Sequence, residues 1–128
     1  MANKGNGTPG TASGDSNVME LNSSGKLIGT YVAGSSPFAI AIDSSGNVWM
    51  ANWGNGTAGA ASGDSNVMEL NSSGKLIGTY VAGSDPSGIA IDSSGNVWVT
   101  NNGSGTVTEL PGITTGPQYF PYSGPQYP

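Results

Sequence analysis

Residues 51–99 repeat residues 2–50 at a constant offset of 49 without a gap, and 42 of the 49 aligned pairs are identical (49 minus seven differing pairs). The seven are Lys4/Trp53, Pro9/Ala58, Thr11/Ala60, Ser36/Asp85, Phe38/Ser87, Ala39/Gly88 and Met50/Val99. A third copy opens where NNGSG (101–105) matches NWGNG (52–56). It skips the nine residues equivalent to 57–65 and resumes with TVTEL (106–110) in place of NVMEL. Repeats of this length mark supersecondary units that bury their apolar faces only by stacking on one another. The chain therefore divides into repeat 1 (2–50), repeat 2 (51–99) and a shortened, divergent repeat 3 (100–128), all within one domain, 1–128.

Within each copy the turn chemistry predicts four short strands. Residues 38–43 are apolar and end in DSSGN, whose Asp accepts backbone hydrogen bonds and whose Gly supplies positive φ. A strand over 47–52, a Gly/Asn/Ala/Ser-rich connection, a strand over 66–70, the turn NSSG and a strand over 75–82 complete the unit. Runs of five to eight residues between turn signals, with no helical period, predict an all-β array. In FAIAI and SGIAI, Ile falls on one face and Ala or Gly on the other, so both faces are apolar and each sheet needs a neighbour on both sides. A β-propeller-type stack of four-stranded blades meets that need, with Trp49/Trp98 and Tyr31/Tyr80 expected to fill the wider gaps away from the axis.

Lettering the strands A to D outward, the chain reads as C and D of a first blade, a complete second blade and A to C of a third, with 119–122 as a possible outer strand. That is about two and a half blades, whereas closed propellers have at least four. A fragment of a longer propeller, a closed oligomer and an open filament all satisfy this count. With only 22 Ile, Leu, Val and Phe residues, a thin aliphatic core also favours association.

The string PSGIAIDSSGNVWVTNNGSGTVTEL and its upstream neighbour NVMELNSSGKLIGTYVAG resemble the repeats of NHL-type propellers and of the streptogramin (virginiamycin B) lyase group. The likeness is carried by Gly88, Ile89, Ala90, Asp92, Gly95 to Asn101, and the Gly74, Gly78, Thr79, Tyr80 segment. It implies a propeller fold. Lyase members use a histidine base and a bound magnesium, but this chain has no His, so no residue receives the catalytic role. Calcium-bound hydrolytic relatives gather acids and Asn near the axis, whereas Asp85 is the only acid in an inter-blade link here, with Ser36 at the equivalent place.

Composition points the same way. Three Lys, no Arg and eight acids give a net charge of −5, leaving little to meet a phosphate backbone. Without Cys or His there are no thiol nucleophiles, thiolate sites or imidazole ligands. The expectation is a non-enzymatic structural or interaction module with no metal, cofactor or nucleic-acid partner. No apolar run is long enough for a membrane helix, and an extracellular or cell-surface setting is favoured.

Glu20, Glu69 and Glu109 recur at the repeat period and are read as rim or solvent-facing residues; turn composition accounts for most of the five N-x-Ser/Thr sequons. Six of the seven repeat differences fall in the B–C connection, the D–A link or the start of strand A, which a blade presents on one face and around the central opening. Trp53, Phe38 and Asp85, with Asn52 and Asn101 as hydrogen-bonding groups, are the candidate binding residues for a glycan or small ligand. The tail repeats GPQY at 116–119 and 124–127 and is read as an irregular outer strand or an adhesive arm.

Overall fold

The computed structural model describes residues 1–3, 5, 10, 16–59 and 63–112. The GPQY tail, the possible strand at 119–122, and Lys4, Pro9, Thr11 and Ala60 among the differing positions lie outside the described residues. Among the described residues, ten strands form three antiparallel sheets. Blade 1 is β1 (Ala2–Asn3), β2 (Asn17–Leu21) and β3 (Leu27–Val32), in that spatial order. Blade 2 is β4 (Pro37–Ile42), β5 (Val48–Asn52), β6 (Asn66–Leu70) and β7 (Leu76–Val81), paired in sequence. Blade 3 is β8 (Pro86–Ile91), β9 (Val97–Asn101) and β10 (Thr106–Leu110). The chain is thus all-β and built from repeated blade-like sheets.

One difference from the expected strand plan concerns blade 1, which has part of strand B as well as C and D. Ala2 pairs with Val18 and Asn3 with Asn17, the register in which Ala51 pairs with Val67 and Asn52 with Asn66. The strand is only two residues long, too short to carry a readable alternation. Another difference is the start of strand A, which opens at Pro37 and Pro86, one residue earlier than read. Each proline lies opposite an Asn across a bulge, Pro37 with Asn52 and Pro86 with Asn101. A strand start beside a bulge is where a residue without an N–H is tolerated.

The A–B turns are built by their aspartates. The Asp43 carboxylate accepts from Ser45 N (2.9 Å), Asn47 N (3.0 Å), Asn47 Nδ2 (3.1 Å) and the Trp49 indole Nε1 (3.0 Å), while Gly46 takes φ 85°. Asp92 repeats all four bonds with Ser94, Asn96 and Trp98. The C–D turns use Asn22 and Asn71 in the same way, each accepting two backbone N–H groups. DSSGN is therefore a hairpin turn whose acid is occupied by the turn's own donors.

Strand alternation gives each blade two apolar faces. Met50, Met68 and Leu70 of blade 2 pack with Val18 and Ala33 of blade 1, while Trp49, Ala51 and Val67 pack with Val97, Val99 and Leu110 of blade 3. Strand A of blade 2 also packs directly against strand A of blade 3, and β1 against β4. The Trp49 ring stacks on Tyr80 at 5.6 Å between centroids in the seam with blade 3, whereas Trp98, expected to fill a like gap, stands exposed.

Glu69 departs from its expected solvent-facing role: it is buried, while Glu20 is exposed. It shares a strand face with Val67, so the next blade covers it, and the Tyr80 hydroxyl donates to it at 2.9 Å. Burial, opposed by that hydrogen bond and assisted by the charge of Asp43, raises its pKa.

The same positions are exposed where no further blade is present. Trp49 is 0 % exposed but Trp98 is 41 %, Val67 is 0 % but Val107 is 60 %, and Leu70 is 1 % but Leu21 is 44 %. The blade-to-blade seam also needs glycine at defined points. A Cβ on Gly34 would stand 2.5 Å from Asn52 Nδ2, and one on Gly83 would stand 2.7 Å from Asn101 Cγ. The Tyr31 ring of blade 1 lies directly over Gly74 in the C–D turn of blade 2, whereas Gly25, the same turn residue in blade 1, has nothing within 4 Å of its would-be Cβ.

Candidate binding face

The D–A links and the beginnings of the B–C connections are tied together by backbone. Trp53 N donates to Ser36 O at 2.9 Å and Gly54 N to Ser35 O at 3.0 Å; one repeat on, Asn102 N donates to Asp85 O at 2.9 Å and Gly103 N to Ser84 O at 3.0 Å. Ser36 and Asp85 adopt left-handed φ values of 51° and 52°. Asp and Asn tolerate that region better than most side chains. The repeat position that varies between Ser and Asp is therefore a conformationally special corner that fixes where the next B–C connection begins.

Of the sequence-derived site residues, Trp53, Phe38 and Asp85 come together. Phe38 and Trp53 stack at 5.2 Å with their planes 19° apart, and Phe38 remains 50 % exposed. The bulge between Pro37 and Ala39 sets Phe38 outside the regular pairing, beside the Trp53 loop. Ser65, which the sequence reading did not single out, connects this loop to Asp85: its hydroxyl donates to Trp53 O and accepts from Asp85 N at 3.3 Å. The nearby Gly56 is close enough that a Cβ there would stand 3.2 Å from Asp85 Oδ1.

Asn52 and Asn101 sit apart from this surface. Both are buried. Asn52 Nδ2 donates to Asn66 Oδ1 at 2.9 Å, and Asn101 Nδ2 donates to the hydroxyls of Thr106 and Thr108 at 3.2 and 2.9 Å. These carboxamides, offered above to a ligand, instead hold strand B to strand C. Their oxygens have no hydrogen-bond partner among the described residues. The only sequence signal for this role was their repeat spacing, which a packing residue shares.

Among the described residues no group of three or more His, Cys, Asp or Glu side chains is placed to hold a metal ion. No helix among them is long and apolar enough to cross a membrane. The exposed Phe38, stacked on the half-buried Trp53, offers stacking area, with Asp85 in the adjoining link.

Residues 84–110, which run from the D–A link through the whole described part of blade 3, match the NHL repeat family. That stretch contains the Pro86, Asp92 and Trp98 positions whose blade 2 counterparts build the intact blade. No curated protein matches the chain.

Proposed function

We propose that this chain is a non-enzymatic structural and interaction module whose two exposed blade faces associate with further copies, giving a closed ring or an open filament. One observation carries the reading: residues buried in the seams between blades recur, at equivalent strand positions, as exposed residues on the outer faces of blades 1 and 3. Trp98, Val107 and Leu21 together form exposed apolar surface of the kind that marks association sites. The two faces differ, so the contact is head to tail, which closes only if the rotation between copies permits and otherwise extends. Light scattering across concentration, with electron microscopy of the same samples, tests it. A mass that rises with concentration to a discrete multiple or to lengthening particles is expected, and a folded monomer at every concentration overturns the reading.

A second reading, favoured by the half-exposed Phe38–Trp53 stack, is that the face carrying the B–C connections binds a glycan or small aromatic ligand. A ring stacked on Phe38 and Trp53 gains about 0.5–1.5 kcal/mol beyond its area burial. A glycan array followed by chemical-shift mapping should show binding centred on Trp53 and lost in Trp53→Ala. Binding mapped to the DSSGN turns, or unaffected by that substitution, counts against it.

A further inference from the structure

The seam between blades 1 and 2 can be followed residue by residue. Val18 of β2 is buried with Met50 of β5 and with Met68 and Leu70 of β6. Met50 lies directly opposite Met68, so the two side chains share one sheet face, and Leu70, two residues along β6, shares it with them. The next seam has the same plan: Val67, the counterpart of Val18, is buried with Val99 and Leu110, the counterparts of Met50 and Leu70. In both seams a valine of strand C thus packs on strands B and C of the following blade.

Both halves of this contact recur uncovered at the two ends of the stack. Val107 holds the valine position in blade 3 and is exposed on the face turned away from blade 2. On the face of blade 1 turned away from blade 2, Met1, Met19 and Leu21 hold the positions of Met50, Met68 and Leu70. Met1 exchanges both backbone hydrogen bonds with Met19, which sets the two side by side as Met50 is beside Met68. The chain's four methionines are therefore two equivalent pairs. One pair is buried in a seam, while in the other Met1 is exposed and Met19 half-buried, with Leu21 exposed beside them.

We infer that Val107 of one copy packs on Met1, Met19 and Leu21 on the outer face of blade 1 in a second copy, as Val18 packs on Met50, Met68 and Leu70 within the chain. This rests on the self-association proposed above and gives it a register, β10 of one copy over β2 of the next. The occupant is a second copy because the receiving face carries the same three side chains, at the same strand positions, as the face that already receives a valine inside the chain. Trp98 shares the face of Val107 and comes against Leu21, as Trp49 comes against Leu110. Methionine suits the receiving role, since its unbranched side chain adapts to an irregular apolar surface. The two faces are distinct, so each chain has one valine face to give and one methionine face to receive.

The test is complementation in the 128-residue chain. Val107→Lys alters the valine face and keeps the methionine face; Leu21→Lys does the reverse. Both positions are exposed, so the fold should survive, and far-UV circular dichroism checks that it does. Each variant alone puts an unpaired ammonium into the contact and is expected to weaken association by about 30-fold or more. An equimolar mixture keeps one intact face of each kind and should give a 1:1 complex and nothing larger by analytical ultracentrifugation. If wild type assembles, unimpaired variants or a monomeric mixture overturn the contact and leave self-association standing; a wild type that stays monomeric overturns both. A second measurement needs no variant: brief peroxide treatment followed by peptide mass spectrometry should oxidise Met19 severalfold more slowly in assembled than in dilute wild type, with the buried Met50 and Met68 slow in both. Equal oxidation of Met19 in the two states overturns the contact.

Discussion

Replacing Trp49 by alanine is expected to cost about 3–5 kcal/mol of folding stability, a large share of the 5–15 kcal/mol, roughly, that holds a typical domain. The ring is wholly buried in the seam between blades 2 and 3, stacks on Tyr80, and donates its indole N–H to Asp43. Its removal leaves a void between two sheets, and the sheets cannot collapse into it because β4 and β8 are already in contact. Trp98→Ala changes the same residue in the same local sequence, yet should cost roughly half as much or less, since much of that ring already faces solvent. Urea unfolding of the two variants under monomeric conditions measures the contrast. Equal losses would mean that the seam contributes nothing beyond what the strand and turn contribute alone.

Asp43→Ala carries the second large effect. It removes four hydrogen bonds at once and leaves the buried Trp49 N–H without its acceptor, for an expected loss of about 2–4 kcal/mol. Asp92 has the corresponding partners but is exposed, so Asp92→Ala should be distinctly milder. The pH dependence follows from the same bonds. Burial pushes the Asp43 pKa up, but the Trp49 indole and the Asn47 and Ser45 donors outweigh it, and the net shift is downward from 3.8. A depressed carboxylate contributes stability above its unfolded pKa and loses it as pH falls through the folded one. Asp92, held by Trp98 and Asn96, is lowered to about 2 and titrates in the same sense. Glu69 opposes both: burial raises its pKa, so its cost at neutral pH is relieved on acidification. Stability should therefore hold or rise slightly as pH drops toward the ordinary carboxylate range and then fall below it. Thermal melts across pH should show this shape, with the acid limb flattened in Asp43→Asn and the early rise missing in Glu69→Gln.

The fold was legible because local chemistry and repetition agree. DSSGN and NSSG name their own turns, since an Asx side chain and a left-handed glycine need nothing from elsewhere in the chain. The 49-residue identity then turns one readable blade into a stack. What escaped was set by tertiary context. Glu69 and Glu20 occupy identical local sequences, and what separates them is the neighbouring strand: Glu69 lies opposite Trp49 on β5, whereas β1 reaches only Asn17 and Val18. Asn52 and Asn101 likewise read as polar groups at strand ends and became visible as inter-strand ties only in the folded sheets. Trp53 announced itself by breaking the repeat, but its contact with Phe38 depends on a bulge that no composition rule locates. Ser65 gave no signal, being identical to Ser16 one repeat earlier.

The D–A link that runs from Gly83 through Asp85 has one more consequence, which concerns concentration. It is only a few residues long and pinned by backbone hydrogen bonds to the following B–C connection. Faces joined by so short a connection meet at an effective concentration in the millimolar range, on the order of what short flexible tethers provide. The same chemical faces on separate chains meet only at the concentration of the solution. Stacking within the chain is thus nearly saturated under dilute conditions in which stacking between chains has barely begun. Under the self-association proposed above, the outer faces of blades 1 and 3 would remain open until the protein is crowded or held at a surface, and local abundance would be the variable that switches one interface from folding to assembly.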